Sequence, residues 1–247
     1  MRTRLLSAMA CAIAVAIAAP AGVAAPSVAN TSNELEGLVR VKSRQFDAVH
    51  LLPKADFRGY TKVMLDPAQV AFARNWLRDV NRSETELSRR TTRQDADRIA
   101  DEARAGFGES LANAFRNAGY AVVAAPGADV LRLSPRIVDL YVTAPARLTS
   151  SPGTRVYTAN AGEGTLVLDF RDSTTGAVLG RATDRRTAGD RGSFDGQGNP
   201  SLSITSTISN RGDFTAMFGT WARSSVAVLE ESKAGSPVAP DAGPAKD

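Results

Sequence analysis

Two residue types that carry much of enzyme chemistry are almost missing from this chain of 247 residues: it has one cysteine, Cys11, and one histidine, His50. One thiol closes no intrachain disulfide. One imidazole builds no zinc or copper site, which needs several His or Cys ligands. His50 sits beside Leu51, Leu52 and Pro53, pairs with no recognisable serine nucleophile, and reads as structural or solvated. Aromatic residues are 6% of the chain, and Phe218 and Trp221 fall on a helical apolar stripe, so they read as core rather than as a sugar-stacking platform. There is no GK[ST] phosphate loop and no GxSxG elbow. Gly106-Phe-Gly108 and Gly162-Glu-Gly164 open like a dinucleotide loop but lack the third glycine. No cofactor is expected.

The charge is also modest. A net +4 falls to +2 without Arg2 and Arg4, which stand in an acid-free leader. That balance does not argue for nucleic acid. Arginine outnumbers lysine 25 to 5, a bias that a GC-rich genome produces and that also supplies planar forks for phosphate or carboxylate.

The longest stretch that is apolar but for Ser7, Leu5 to Ala19, is 15 residues. It falls short of the roughly 20 that a membrane-spanning helix needs. It follows the basic start MRTR and precedes PAGVAAPSVAN, the pattern of a secretory signal peptide over residues 1–29, cut between 21 and 29. Cys11 lies inside the apolar segment rather than just after it, so lipid anchoring there is not expected. The mature protein is expected to be periplasmic, without cysteine and without a stable transmembrane segment.

Residues 30–60 read as an extended N-terminal arm packed on the domain, residues 61–235 as a single α+β domain, and SPVAPDAGPAKD, 236–247, as a disordered tail. Lys62–Leu65 is a short strand stopped by Asp66-Pro67 and resumed around Val70–Phe72. Residues 74–88 allow a short helix anchored by Trp76 and Leu77. The clearest helix runs over 92–118, capped by Thr91 or Thr92 with Gln94 or Asp95 three residues on. Ala96, Ile99, Ala103, Phe107, Leu111 and Phe115 recur along one face. Pro126-Gly127 suits a type II turn. Val130 to Val142 is a long strand whose phase slips near Pro135. Residues 165–186 form a hairpin turning at Asp172–Gly176. A second amphipathic helix spans 211–232, with Asn210 as cap. Together these predict an α+β fold: an antiparallel sheet with two main helices on one face.

Few residues suggest chemistry. Asp195-Gly-Gln197-Gly-Asn199 begins like a calcium loop, but Ser206 stands where the bidentate glutamate belongs. Asp101 with Glu102, or Asp169 with Asp172, are the acid pairs a glycosidase would draw on. Arg181, Arg185, Arg186 and Arg191 cluster near the end of the hairpin and form a candidate patch for an anionic partner.

The stretches FDAVHLLPKADFRGYTKVMLDPAQVAF, FRNAGYAVVAAPGADVLRLSPRIVDLYVTAP, LDFRDSTTGAVLGRATDRR and NRGDFTAMFGTWA resemble the bacterial family called domain of unknown function 3313, over about residues 40–232. The resemblance implies an exported envelope protein of α+β fold and brings no catalytic residues. The expectation is a non-enzymatic protein that binds an envelope protein or a cell-wall component. A carboxylate-based hydrolase of cell-wall sugars and a small-ligand carrier are the rival readings.

Overall fold

Alternating apolar residues and turn chemistry build the described chain into strands and helices in the order β1 (Val39–Val41), β2 (Ala48–Leu51), β3 (Lys62–Leu65), β4 (Gln69–Phe72), α1 (Trp76–Val80), α2 (Arg93–Asn117), β5 (Ala121–Val123), β6 (Val130–Val142), β7 (Val156–Thr158), β8 (Gly162–Asp172), β9 (Val178–Ala188), β10 (Ser203–Thr205) and α3 (Thr207–Lys233). The computed structural model describes residues 37–82, 85, 87, 90–143, 156–158, 160–189, 203–205 and 207–234, without the side chains of 156–158, 203–205 and 207–210. The leader with Cys11, the start of the arm, the calcium-like stretch at 195–199, Arg191 and the tail lie outside these residues. Among the described residues no helix is long and apolar enough to cross a membrane.

Eight strands form one sheet in the order β1-β2-β9-β8-β6-β3-β5, with β4 also on β6, while β7 and β10 pair separately. The sheet is mixed, which corrects the antiparallel expectation. β1, β2, β9, β8 and β6 alternate in direction, but β3 and β4 run parallel to β6, and β5 runs parallel to β3. The reason is α2, which carries the chain from β4 back to start β5 in the direction of β3. A parallel neighbour requires such a long crossover. The described part of the expected arm, from Gly37, contributes the hairpin β1–β2 to the sheet edge.

The interrupted strand appears as β3 and β4, lying end to end against β6. Pro135 occupies the gap between them. Leu133 directs its carbonyl toward that side, where it accepts the Asp66 N–H at 2.9 Å. The backbone of Pro135, two residues on, therefore faces the place where no neighbouring strand needs an N–H. The β6–β8 register runs unbroken through Pro135 and slips instead between Val138 and Tyr141, around Asp139 with φ 51°. The bulge thus sits four residues later than the sequence pattern placed it. Gly127 shows no positive φ, so the expected type II turn is absent. The Val130 N–H closes the turn on Gly127 O at 3.1 Å, and Ser173 Oγ clasps Gly127 through both its N–H and its carbonyl.

α2 begins with Thr92 and Asp95 in a reciprocal capping box. α3 starts a turn before the expected cap at Asn210, which lies within it. α2 covers β3, β4 and β5, and α3 covers β8 and β9, both on one side of the sheet. Phe107, Leu111 and Phe115 of α2 and Phe218, Trp221 and Leu229 of α3 are buried there against Leu131, Leu133, Ile137, Leu166, Leu168 and Phe170. Each such side chain contributes about 1.5–3 kcal/mol by leaving water. At Gly106 an added Cβ would stand 3.7 Å from the Phe218 ring, so this glycine lies at the close approach of the two helices.

Candidate functional site

The face of the sheet away from the helices carries charge. Leu131, Leu133 and Ile137 are fully buried on the helix side. Strand alternation therefore turns Arg132, Ser134 and Arg136 to the other side. By the same alternation Asp169 and Arg171 of β8, Arg181 and Arg185 of β9 and His50 of β2 share that outer face. Register sets Arg132 opposite Arg171, and lines up Ser134, Asp169, Arg181 and His50 across four neighbouring strands.

Asp169 is the centre of this arrangement. Its side chain is 3% exposed, as is that of Arg181. Arg181 donates from Nε to Oδ1 at 2.5 Å and from Nη2 to Oδ2 at 3.0 Å. Arg171 donates from Nη2 to Oδ2 at 2.8 Å, and Arg136 Nη2 stands 3.7 Å from the same oxygen. Burial alone would raise the Asp169 carboxyl, but the bonds and charge of Arg181, with Arg171 and Arg136, outweigh it and hold it below the usual carboxylate range. Beside this group Arg132 donates from Nε to both Asp66 oxygens, at 3.0 and 2.9 Å, and Ser134 Oγ donates to Asp66 Oδ2 at 2.5 Å. Four guanidinium groups thus lie about Asp66 and Asp169.

His50 closes the row. Burial, then the charges of Arg40 and Arg181, lower its pKa, so it is neutral at neutral pH. Its buried Nδ1 has no hydrogen-bond partner among the described residues.

The four arginines singled out in the sequence are not gathered at one place. Arg181 and Arg185 share the outer face, and Arg185 donates from Nη2 to Glu163 Oε1 at 2.7 Å. Arg186, the next residue, turns to the helix side, where its Nε donates to Asp184 Oδ2 at 2.5 Å and its Nη2 to the Gln45 carbonyl at 3.3 Å. Arg191 lies outside the described residues. Sequence reasoning missed Arg132, Arg136 and Arg171. The signal was present as polar residues at every second position, Arg132, Ser134 and Arg136 in β6 and Asp169 and Arg171 in β8, which places charge on one face.

The acid pairs have other partners. Asp101 is paired with Arg104, and Glu102 accepts from Arg211 at 3.3 Å. Asp172 holds the hairpin turn, accepting the N–H groups of Thr174 and Thr175 at 3.1 and 2.7 Å, while Tyr60 donates to its other oxygen at 2.9 Å.

A mixed sheet backed by two long helices on one face, with an arginine lattice on the other, defines a two-layer α+β protein. A family model described as "Protein of unknown function (DUF3313)" matches residues 29–225, and the chain belongs to that family. No curated protein matches the chain. Among solved structures it is similar to two PelC dodecamers from Paraburkholderia phytofirmans. A single-substitution variant shares 16% identity over 71% of this chain and 96% of that one, with TM-score 0.32. The other, in space group P6, shares 14% over the same fractions, with TM-score 0.31. At those scores nothing of PelC's assembly is carried over.

Proposed function

We propose that the protein is exported to the periplasm and works by binding an anionic component of the cell envelope through the outer face of its sheet. The observation that supports this most directly is the gathering of Arg132, Arg136, Arg171 and Arg181 about Asp66 and Asp169. Their ion pairs with Asp66 and Asp169 hold these side chains in place, so their donors are ordered before a ligand arrives. Arginine forks match the oxygens of phosphate and carboxylate. The leader pattern supplies the compartment.

The test is sedimentation of the secreted protein with neutral and anionic envelope preparations across a salt series. Binding to the anionic preparations that weakens as salt rises supports the reading. Equal association with neutral and anionic preparations sinks it, as does turnover of a cell-wall substrate that persists when the arginines are replaced. Intact mass of the secreted protein checks export, with a new N-terminus expected between residues 21 and 29.

A further inference from the structure

His50 stands in a row of opposed side chains: Arg40 faces it from β1 and Arg181 from β9. Val41, Val49 and Leu51 are buried on the helix side, so alternation turns Arg40 and His50 to the outer face with Arg181. Side chains so opposed have Cβ atoms about 4.5–5.5 Å apart. The two neighbours differ in what offsets them. Arg181 is bonded to Asp169 of β8, whereas Arg40 is exposed and its Nη2 donates at 3.2 Å to the backbone carbonyl of Asp47, which carries no net charge. The Asp47 carboxylate is turned to β9, where Oδ2 accepts the Arg185 N–H at 2.9 Å. Lys42, exposed just past β1, lies beyond Arg40 on the same edge. His50 is therefore flanked by cations on both neighbouring strands.

In the free protein a proton on His50 would set three cations side by side across three strands, and like charges directly opposed are unfavourable. Burial, Arg40 and Arg181 accordingly keep the ring neutral near neutral pH. An anionic group resting on this row reverses the balance, because it offsets Arg40 and favours the charged imidazole. Nδ1 is buried without a partner among the described residues, so Nε2 is the nitrogen that meets a ligand oxygen. Resting on the reading above, we propose that His50 couples the outer face to pH: binding of the anionic envelope component along the Arg40–His50–Arg181 row protonates it, so that acid tightens binding. The coupling is reciprocal. The bound protein holds the proton to higher pH than the free one, so affinity rises as pH falls through the bound-state value and levels off below the free-state value.

The chain has one histidine, so the secreted protein without a histidine tag gives a single imidazole resonance. Its NMR titration should place free His50 below the ordinary value of about 6.5, and R40Q should raise it by removing the opposed charge. Two anions that do not titrate near neutral pH serve as probes for binding: phosphatidylglycerol in phosphatidylcholine vesicles, and soluble dextran sulfate. Lowering the pH from about 7.5 to about 5.5 should tighten wild-type binding about threefold or more. H50Q, which cannot take up the proton, should bind equally at both pH values. Thermal unfolding confirms that each variant is folded. A pH response with vesicles alone identifies a lipid headgroup, and one with dextran sulfate identifies a soluble polyanion, either outcome supporting the coupling. A pH response that survives in H50Q, a His50 titration that ignores R40Q, or wild-type binding that is salt-sensitive but indifferent to pH overturns the coupling and leaves the proposed function standing. If the wild type binds neither probe nor any other anionic preparation at either pH, the proposed function falls with it.

Discussion

Trp221 on α3 donates its indole N–H to Asp184 Oδ2 on β9 at 2.9 Å, through an interface from which both side chains are almost wholly withdrawn from water. The same carboxylate accepts Arg186 Nε at 2.5 Å and, through Oδ1, the Asp47 N–H at 3.2 Å. One buried acid therefore ties the second helix, the hairpin and the N-terminal segment together. A hydrogen bond to a charged group contributes about 1.5–3 kcal/mol. A double-mutant cycle of W221F and D184N, read by urea unfolding, should return a coupling in that range. A coupling near zero would mean that the helix is held by apolar burial alone.

Asp169 should set much of the acid sensitivity. Its carboxyl lies below the usual range in the fold, so the folded state binds fewer protons than the unfolded chain. The stability it contributes is present above the unfolded carboxylate value near 4 and is lost as pH falls through the folded value. D169N leaves the buried Arg181 guanidinium without its carboxylate and should cost about 3–5 kcal/mol at neutral pH. The loss should shrink toward low pH, where wild type is protonated as well. Asp184 has the opposite sign. Burial, more than any neighbour, raises its carboxyl, so its ionisation cost grows as pH rises above the ordinary carboxylate value. Urea midpoints measured from acid to neutral pH for wild type and D169N check the slope.

The helix start at Thr92 gives a smaller and independent effect. Asp95 accepts the Thr92 N–H at 2.9 Å, and Thr92 Oγ1 accepts the Asp95 N–H at 3.2 Å. T92A removes one half of this pair and should cost about 1 kcal/mol, while T92S should be near neutral. Thermal unfolding of the two variants side by side distinguishes capping from loss of the threonine methyl.

This box was legible in the sequence because Thr92 and Asp95 are three residues apart, and such spacing is local. So were the apolar stripe of α2, the hairpin with its Asp172 turn, and the break at Asp66-Pro67. Strand direction was not legible. Alternation in Lys62–Leu65 or Val130–Val142 tells which residues share a face, and says nothing of which strand lies beside which or pointing which way. The outer face was lost for a related reason. Arg185 and Arg186 are adjacent in sequence and on opposite sides of the sheet, whereas Arg132 and Arg171 are far apart in sequence and directly opposed in space. The bulge at Asp139 was misplaced because proline in a strand is the stronger written signal, and here the gap between β3 and β4 accommodates it.

Two glycines should respond to the same substitution with opposite signs. Gly162 begins β8 with φ 154°, and a Cβ there would stand 2.0 Å from the Tyr141 carbonyl oxygen and 2.8 Å from the Phe214 ring. Backbone cannot step aside cheaply, so G162A combines overpacking with strain and should cost about 2–4 kcal/mol. Gly108 lies in the middle of α2 with nothing within 4 Å of an added Cβ. Alanine there narrows the unfolded ensemble and suits the helix, so G108A should stabilise by about 0.5–1 kcal/mol. Paired urea melts decide both. A stabilised G162A would mean that β6 and β8 do not approach as closely as described, and a destabilised G108A would mean that α2 needs its glycine for a contact that the geometry does not contain.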